Sequence, residues 1–228
     1  LCSNIRTAAV GGVAAKYLAR KGSKVIGFIG AGEQAKSHLL AMKAACPSIE
    51  KCYVSSRTNE SEDNFVKQMS RFCPDIAFIK CEGDYKGAVE NADIIVTAIS
   101  GQEKILQAEW VKNGAFYCHV AGLEDDFAVP QKASKIVCDS WKVVKHRTQT
   151  ISQMYQAGLL KDTDIYADLH EIITQKKKAR ENADEFIYFN SVGMSFVDTL
   201  LAYRMYQKCV ESKTGTVMSL KDKSMFDL

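Results

Sequence analysis

Gly30-Ala31-Gly32-Glu33-Gln34-Ala35 has the residue types and the spacing to hold a phosphate. Gly30 permits a tight turn and Gly32 lets the backbone approach a pyrophosphate. Ala35, in the third glycine position, is small enough for a helix to pack close to a strand. A helix beginning there offers free amides and the positive end of its dipole to the phosphates. The same string also serves as an ordinary turn between a strand and a helix, so context decides. Here the apolar run Lys24–Ile29 leads directly in and the helix-like stretch Lys36–Lys43 leads directly out, which is the setting of a dinucleotide-binding fold.

The end of the following strand bears on which nucleotide. NAD-preferring enzymes usually carry Asp or Glu about 20 residues beyond the glycine turn, on the adenosine ribose. This chain reads Val54-Ser55-Ser56-Arg57-Thr58, with no carboxylate. Arg57 has the planar fork to grip a 2'-phosphate, and Ser56 and Thr58 bring hydroxyls. NADP is therefore the expected cofactor, with NAD as the alternative and a plain surface role for Arg57 as the competing reading.

Few other residues group for chemistry. The eight cysteines lie far apart without a Cys-x-x-Cys or a zinc spacing, and Cys52, Cys118 and Cys138 fall in apolar runs. They read as reduced packing residues, and no metal site is expected. His38, His146 and His170 have no partner at ligand spacing. His119 could carry a proton near neutrality, but a residue filling the end of a strand reads the same way.

The elements that must position these residues alternate along the chain. A small-residue helix at 6–20, closed by Gly22, precedes strand 24–29, helix 33–45, strand 51–56, helix 61–72, strand 75–80 and helix 84–91. Strand 93–98, a short helix at 107–112 and strands 115–120 and 135–139 follow. Helices at 148–157 and 165–174, a polar loop at 175–185, the run Glu185–Asn190 and a last helix at 192–210 complete the order, with 211–228 as a tail. Strands of unbroken apolar residues indicate a parallel sheet covered on both faces, and a doubly wound α/β fold is the simplest architecture. The expected organisation is a connecting helix at 1–22, an NAD(P)-binding Rossmann domain at 23–190, a C-terminal helix at 191–210 and the tail.

Composition sets outer bounds. With 228 residues, 46% hydrophobic content and a net charge of +3, the chain can bury a core and carries no basic footprint for nucleic acid. The run Lys176-Lys177-Lys178 with Arg180 reads as a solvated loop. No stretch reaches the roughly 20 apolar residues that span a bilayer, and a cytoplasmic address is expected. The opening Leu1-Cys2-Ser3-Asn4 reads as the start of an excised piece of a longer protein.

Arg6-Thr7-Ala8-Ala9, Gly30–Ala35, Ala92–Ala98, Val120-Ala121-Gly122 and Ser191–Asp198 together resemble the ornithine cyclodeaminase and mu-crystallin family, in the family's order, over residues 6 to about 205. The resemblance implies an NADP-dependent oxidoreductase that moves a hydride between the nicotinamide and the nitrogen-bearing carbon of an amino or imino acid. It also implies a homodimer, and a substrate domain largely outside this chain that supplies a lysine to the substrate. A hormone-binding relative with little turnover is the alternative.

Carried over by motif, Arg6 would lie between substrate carboxylate and cofactor with Thr7 beside it. Gly30, Ala31, Gly32, Glu33 and Gln34 would line the pyrophosphate, and Ser56, Arg57 and Thr58 the adenosine end. Thr97, Ile99, Ser100 and Ala121 would border the nicotinamide, and Ser191 would reach it from the far side. Asp198 matches a recurrent aspartate of the last helix. Cyclodeaminases place an acid-base aspartate two residues after the glycine matched by Gly122. Here Glu124 takes that place with Asp125 and Asp126 as rivals, and an acidic surface loop remains an alternative. The altered spacing leaves the substrate open.

Overall fold

In the computed structural model, which describes residues 2–217, the apolar run after the first helix becomes β1 (Val25–Ile29), the strand around which the fold is wound. Before it comes α1 (Cys2–Leu18). After it follow α2 (Glu33–Ala45), β2 (Lys51–Ser55), α3 (Asn59–Phe72), β3 (Ala77–Lys80), α4 (Tyr85–Val89) and β4 (Ile94–Thr97). The second half contains β5 (Phe116–His119), α5 (Ala128–Lys132), β6 (Lys135–Cys138), α6 (Trp141–Val144), α7 (Thr150–Gln156), β7 (Ala167–Asp168), α8 (Leu169–Ile173), β8 (Ile187–Asn190) and α9 (Ser195–Ser212). All pairings within the eight-stranded sheet are parallel, in the order β3-β2-β1-β4-β5-β8-β6-β7.

The chain leaves β1 toward β2 and β3, then returns to pair β4 on the other side of β1. That reversal opens a crevice at the carboxyl ends of β1 and β4, where ligands bind in such sheets. Both faces are covered. Phe28, Val96, Cys118 and Phe189 pack under α1, α2 and α3 on one side, and Ile95, Tyr117, Cys138 and Tyr188 pack on the other. Small residues set the close approach of α1 to α2, because a Cβ at Gly12 would press on the Ala41 backbone. At the opposite end of the sheet the buried carboxylate of Asp93 accepts the Lys24 and Val25 amides at 2.8 and 3.1 Å, fixing the start of β1.

Several boundaries differ from the sequence reading. Helix α1 ends at Leu18, and Gly22 (φ +76°) forms the turn that follows instead of the cap itself. The segment 165–174 splits into β7 and α8, because Asp168 and Glu171 form a reciprocal capping box that starts a helix only at Leu169. The run 185–190 supplies β8, an interior strand between β5 and β6. Helix α9 starts at Ser195 and continues to Ser212, two residues into the expected tail, while residues 218–228 of that tail lie outside the described residues. Arg180 is not solvated like its lysine neighbours: its Nε donates to the Leu18 carbonyl at 2.9 Å and an Nη to Ala115 at 3.2 Å, tying the loop to α1 and the foot of β5. Among the described residues no helix is long and apolar enough to cross a membrane.

Candidate functional site

A cavity of about 450 Å³ occupies the crevice beyond β1 and β4. Its floor is the glycine turn. Gly30 has φ +105°, and a Cβ there would overlap the Ala98 carbonyl, so the turn closes against the exit of β4 only with glycine. Gly32, the N-cap of α2, has ordinary extended angles and nothing within 4 Å of where a Cβ would stand. The space above it is cavity. Among the described residues no side chain caps α2, so its first amides have no acceptor within the helix, and Glu33 and Gln34, which carry two of them, border that space. Absent caps, an open glycine and a row of free N–H groups fit a pyrophosphate.

The end expected to take an adenosine is built from the β2–α3 turn. Ser56, Arg57, Thr58 and Ser61 line the cavity there, with Tyr85 opposite. Thr58 caps α3, its Oγ1 accepting the Ser61 amide at 3.3 Å, and the Ser56 hydroxyl donates to the Thr58 carbonyl at 2.9 Å. Arg57 is exposed and forms no ion pair among the described residues. Its guanidinium stands close enough to Tyr85 to oppose the upward push that burial gives the phenol. An exposed cation on the cavity lining with no ion pair among the described residues suits a 2'-phosphate.

This turn is held from beneath by a residue that sequence reading did not single out. Glu62 is fully buried and takes four backbone amides: Ser56 (2.8 Å) and Gly83 (3.1 Å) on Oε1, Cys81 (3.1 Å) and Glu82 (2.8 Å) on Oε2. The turn at Glu82 and Gly83, both at positive φ, wraps the carboxylate. No local sequence pattern marks this, since the donors come from two separate loops.

The other end of the cavity is bordered by Ala98, Ile99, Ser100, Gly101, Glu103, Ile105, Val120 and Ala121. Ile99, Ser100 and Ala121, the residues expected to border a nicotinamide, line this end, while Thr97 lies beneath the surface. The expectation of an acid or base at Glu124 meets a different placement. Glu124 is fully buried and does not border the cavity. Its Oε1 accepts the Ile99 amide at 2.8 Å. Its Oε2 accepts the Thr97 hydroxyl at 2.7 Å and the Ala121 and Val120 amides at 3.0 and 3.4 Å. Its own carbonyl takes the Ile105 and Leu106 amides at 3.1 and 3.0 Å.

Asp125 is also fully buried, on the face of the sheet away from α1 and α2. Thr150 Oγ1 donates to it at 2.7 Å, and the Tyr117 and Tyr188 hydroxyls at 3.3 Å. His119 Nε2 lies 3.4 Å from the same oxygen but is not aligned for a hydrogen bond. Burial pushes the Asp125 carboxyl up to about 6, with His119 and the Thr150 hydroxyl pulling the other way. Burial likewise raises the Tyr117 and Tyr188 phenols well above their ordinary value, and the thiols of Cys52, Cys118 and Cys138. The carboxylates bordering the cavity among the described residues are Glu33 and Glu103.

The helices α1 and α9 meet where Arg6 is expected to reach a substrate. Arg6 Nε donates to Asp198 at 2.7 Å, and its outer nitrogens lie against Gly193, where a Cβ would collide with them. Arg6 does not itself line the cavity, but Asn4, two residues earlier, does, and Gln34 Nε2 donates to Asn4 at 3.2 Å. Thr7 and Ser191 are buried off the cavity. The Ser191 hydroxyl donates to Asp139 at 3.3 Å, and that carboxylate also takes the Val192 and Gly193 amides at 2.8 and 2.7 Å, which fixes the loop against Arg6. Sequence reading missed Asn4, Ser61, Tyr85 and Glu103 because their approach to the crevice depends on loops far apart in the chain.

Comparison with known proteins follows this geometry. The family model described as the ornithine cyclodeaminase/mu-crystallin family matches residues 1–213. The N-((2S)-2-amino-2-carboxyethyl)-L-glutamate dehydrogenase of Staphylococcus aureus is 32% identical over 220 residues, covering 96% of this chain and 65% of its own. The Delta(1)-pyrroline-2-carboxylate reductase of Thermococcus litoralis, solved with NADH and L-proline, superposes with a TM-score of 0.90 at 33% identity, covering 95% of this chain and 68% of that one. An archaeal alanine dehydrogenase dimer with bound NAD gives 0.85 at 30% identity, over 96% and 68%. The chain thus spans about 65% of the length of the curated relatives it matches.

Proposed function

The chain belongs to the ornithine cyclodeaminase/mu-crystallin family, and from that premise we propose that it is the cofactor-binding portion of an NADP-dependent oxidoreductase of amino or imino acids. The observation that carries the reading is the cavity at the switch point, with a free amide row at one wall and an unpaired Arg57 at its adenosine end. Family relatives whose names or ligands include pyrroline carboxylate, alanine, NADH and NAD support the reaction class. When bound, the nicotinamide supplies or accepts the hydride.

The chain's own residues bind and orient. The amides at the start of α2 take the pyrophosphate, Arg57 takes the 2'-phosphate, and Ile99, Ile105 and Val120 keep water from the far end. Arg6, held by Asp198 with its outer nitrogens against Gly193, is the group we assign to a substrate carboxylate. Residues 23–190 form the cofactor unit, and α1 and α9 lead toward the substrate and dimerisation part of the whole protein. We assign Glu124 and Asp125 no proton transfer, because both carboxylates are fully buried and neither borders the cavity.

The burial of Glu124 and Asp125 away from the cavity also favours a second reading, a nucleotide-dependent binding protein with little turnover. Fluorescence titration with NADPH and NADH tests the cofactor assignment. NADPH binds more tightly, and Arg57→Ala removes about ten- to a hundredfold of its affinity, the loss of a charge-assisted bond, while leaving NADH unchanged. Equal binding of both, or equal weakening by Arg57→Ala, would overturn it.

A further inference from the structure

We propose that Glu62 and Glu124 are two independent positioning residues, each a buried carboxylate clasp that fixes one half of the cleft: Glu62 the adenosine half, Glu124 the nicotinamide half. The inference rests on the dinucleotide reading above and deepens it.

The donor lists carry the division. Glu124 holds the amides of Ile99, Val120 and Ala121 through its side chain and that of Ile105 through its carbonyl. All four of those residues border the cavity, at one end of it. Glu62 holds Ser56, which borders the other end, and the turn Cys81-Glu82-Gly83 that leads to Tyr85, which borders it too. The two sets share no donor. β1 runs between them, since β2 and β3 lie on one side of it and β4 and β5 on the other.

Each carboxylate suits its task because it only accepts. Buried loop amides without an acceptor are costly, and one acceptor group that collects several of them ties two loop ends to a common point. Cys81 and Ile105 share their amides with the Val54 and Glu103 carbonyls at 2.9 Å, while Ser56, Glu82, Gly83, Ile99, Val120 and Ala121 have no other acceptor among the described residues. At Glu62 both oxygens take two amides each, so the amide of a glutamine would face two N–H groups whichever way it turned. At Glu124 three of the four side-chain bonds fall on Oε2, so a glutamine keeps those and turns its NH₂ on Ile99 alone. Glu124→Gln is therefore a local lesion at the exit of β4, and Glu62→Gln a broader one at the exits of β2 and β3.

Two ligands separate the halves: the preferred reduced dinucleotide, and the matching ADP-ribose (with the 2'-phosphate if NADPH is preferred), which carries the adenosine and both bridging phosphates but no nicotinamide. Calorimetric titration of the full-length protein and its variants is expected to show Glu124→Gln weakening the dinucleotide about tenfold with ADP-ribose binding unchanged, and Glu62→Gln weakening both by one common factor. The double variant loses the product of the two factors, as unconnected sites do. Thr97→Val, which removes the hydroxyl donated to Glu124, should repeat the Glu124 pattern more weakly and serves if Glu124→Gln does not fold. In the unaltered protein, amide exchange supplies a second measurement. The loop amides of Ser56, Glu82, Ile99 and Ala121 exchange as slowly as strand amides. Equal loss of both ligands in Glu124→Gln or Thr97→Val, an unchanged dinucleotide affinity in either, or fast exchange at those loop amides overturns the assignment. An unaltered protein that binds neither ligand overturns the dinucleotide reading and the clasps with it.

Discussion

Asp125→Asn should stabilise the protein at neutral pH and do nothing for it in acid. The carboxyl is fully buried, and burial raises it from 3.8 to about 6. A carboxyl raised in the folded state is protonated in both states below its unfolded value, so it is neutral to stability there. Above its folded value it is ionised in both, and the buried charge is a net cost. The difference between about 6 and 3.8 corresponds to about 3 kcal/mol, fully present above pH 6 and fading as the pH falls toward 4.

Asparagine fits the site. Its carbonyl can stand where Oδ1 accepts Thr150, Tyr117 and Tyr188, and its NH₂ falls where Oδ2 has no partner already. The groups facing it are His119 on β5, Glu124 beside it, and those three hydroxyls. For a chain of this size about 3 kcal/mol is worth about 6 to 12 °C in Tm, which sets the upper bound of the gain. Thermal unfolding followed by circular dichroism at pH 7.5 and pH 4.5 reads it directly. A variant less stable than the parent at pH 7.5, or shifted equally at both pH values, would refute the claim that ionising Asp125 is costly. Loss of turnover in a folded Asp125→Asn protein would instead restore Asp125 as an acid.

Other substitutions separate fold from ligand. Gly32→Ala keeps its ordinary backbone angles and meets no atom, so unfolding free energy should stay within about 1 kcal/mol while dinucleotide affinity drops at least about tenfold, both measured on the same preparation. Asp93→Ala removes the acceptor for two amides at the head of β1 and should cost about 2 kcal/mol in urea unfolding without changing cofactor affinity, because it lies at the opposite end of the sheet.

Local chemistry was legible in the sequence and long-range assembly was not. The turn at Gly30–Ala35 and the helix after it rest on neighbouring residues, and the structure keeps both within the expected bounds. Arg57 reached the cavity because a strand end fixes its own register. The order of β8 between β5 and β6 depends on pairing across more than fifty residues, which no pattern in Glu185–Asn190 announces. The Asp168-x-x-Glu171 box was a readable helix start inside 165–174 that periodicity alone obscured. Glu124 is the most instructive case. In Leu123-Glu124-Asp125-Asp126 it looks like an acidic loop or an active-site acid, and only the convergence of Thr97, Ile99, Val120 and Ala121 reveals a buried acceptor.

Turnover by the full-length protein tests the central claim most directly. Mixed with NADPH and a cyclic imino acid such as pyrroline-2-carboxylate, or with NADP and the corresponding amino acid, it should change absorbance at the reduced-nicotinamide band, faster than with NADH or NAD. A protein that binds NADPH but leaves the band unchanged across cyclic imines, alanine, ornithine and lysine would contradict the oxidoreductase assignment and leave nucleotide-dependent ligand binding in its place.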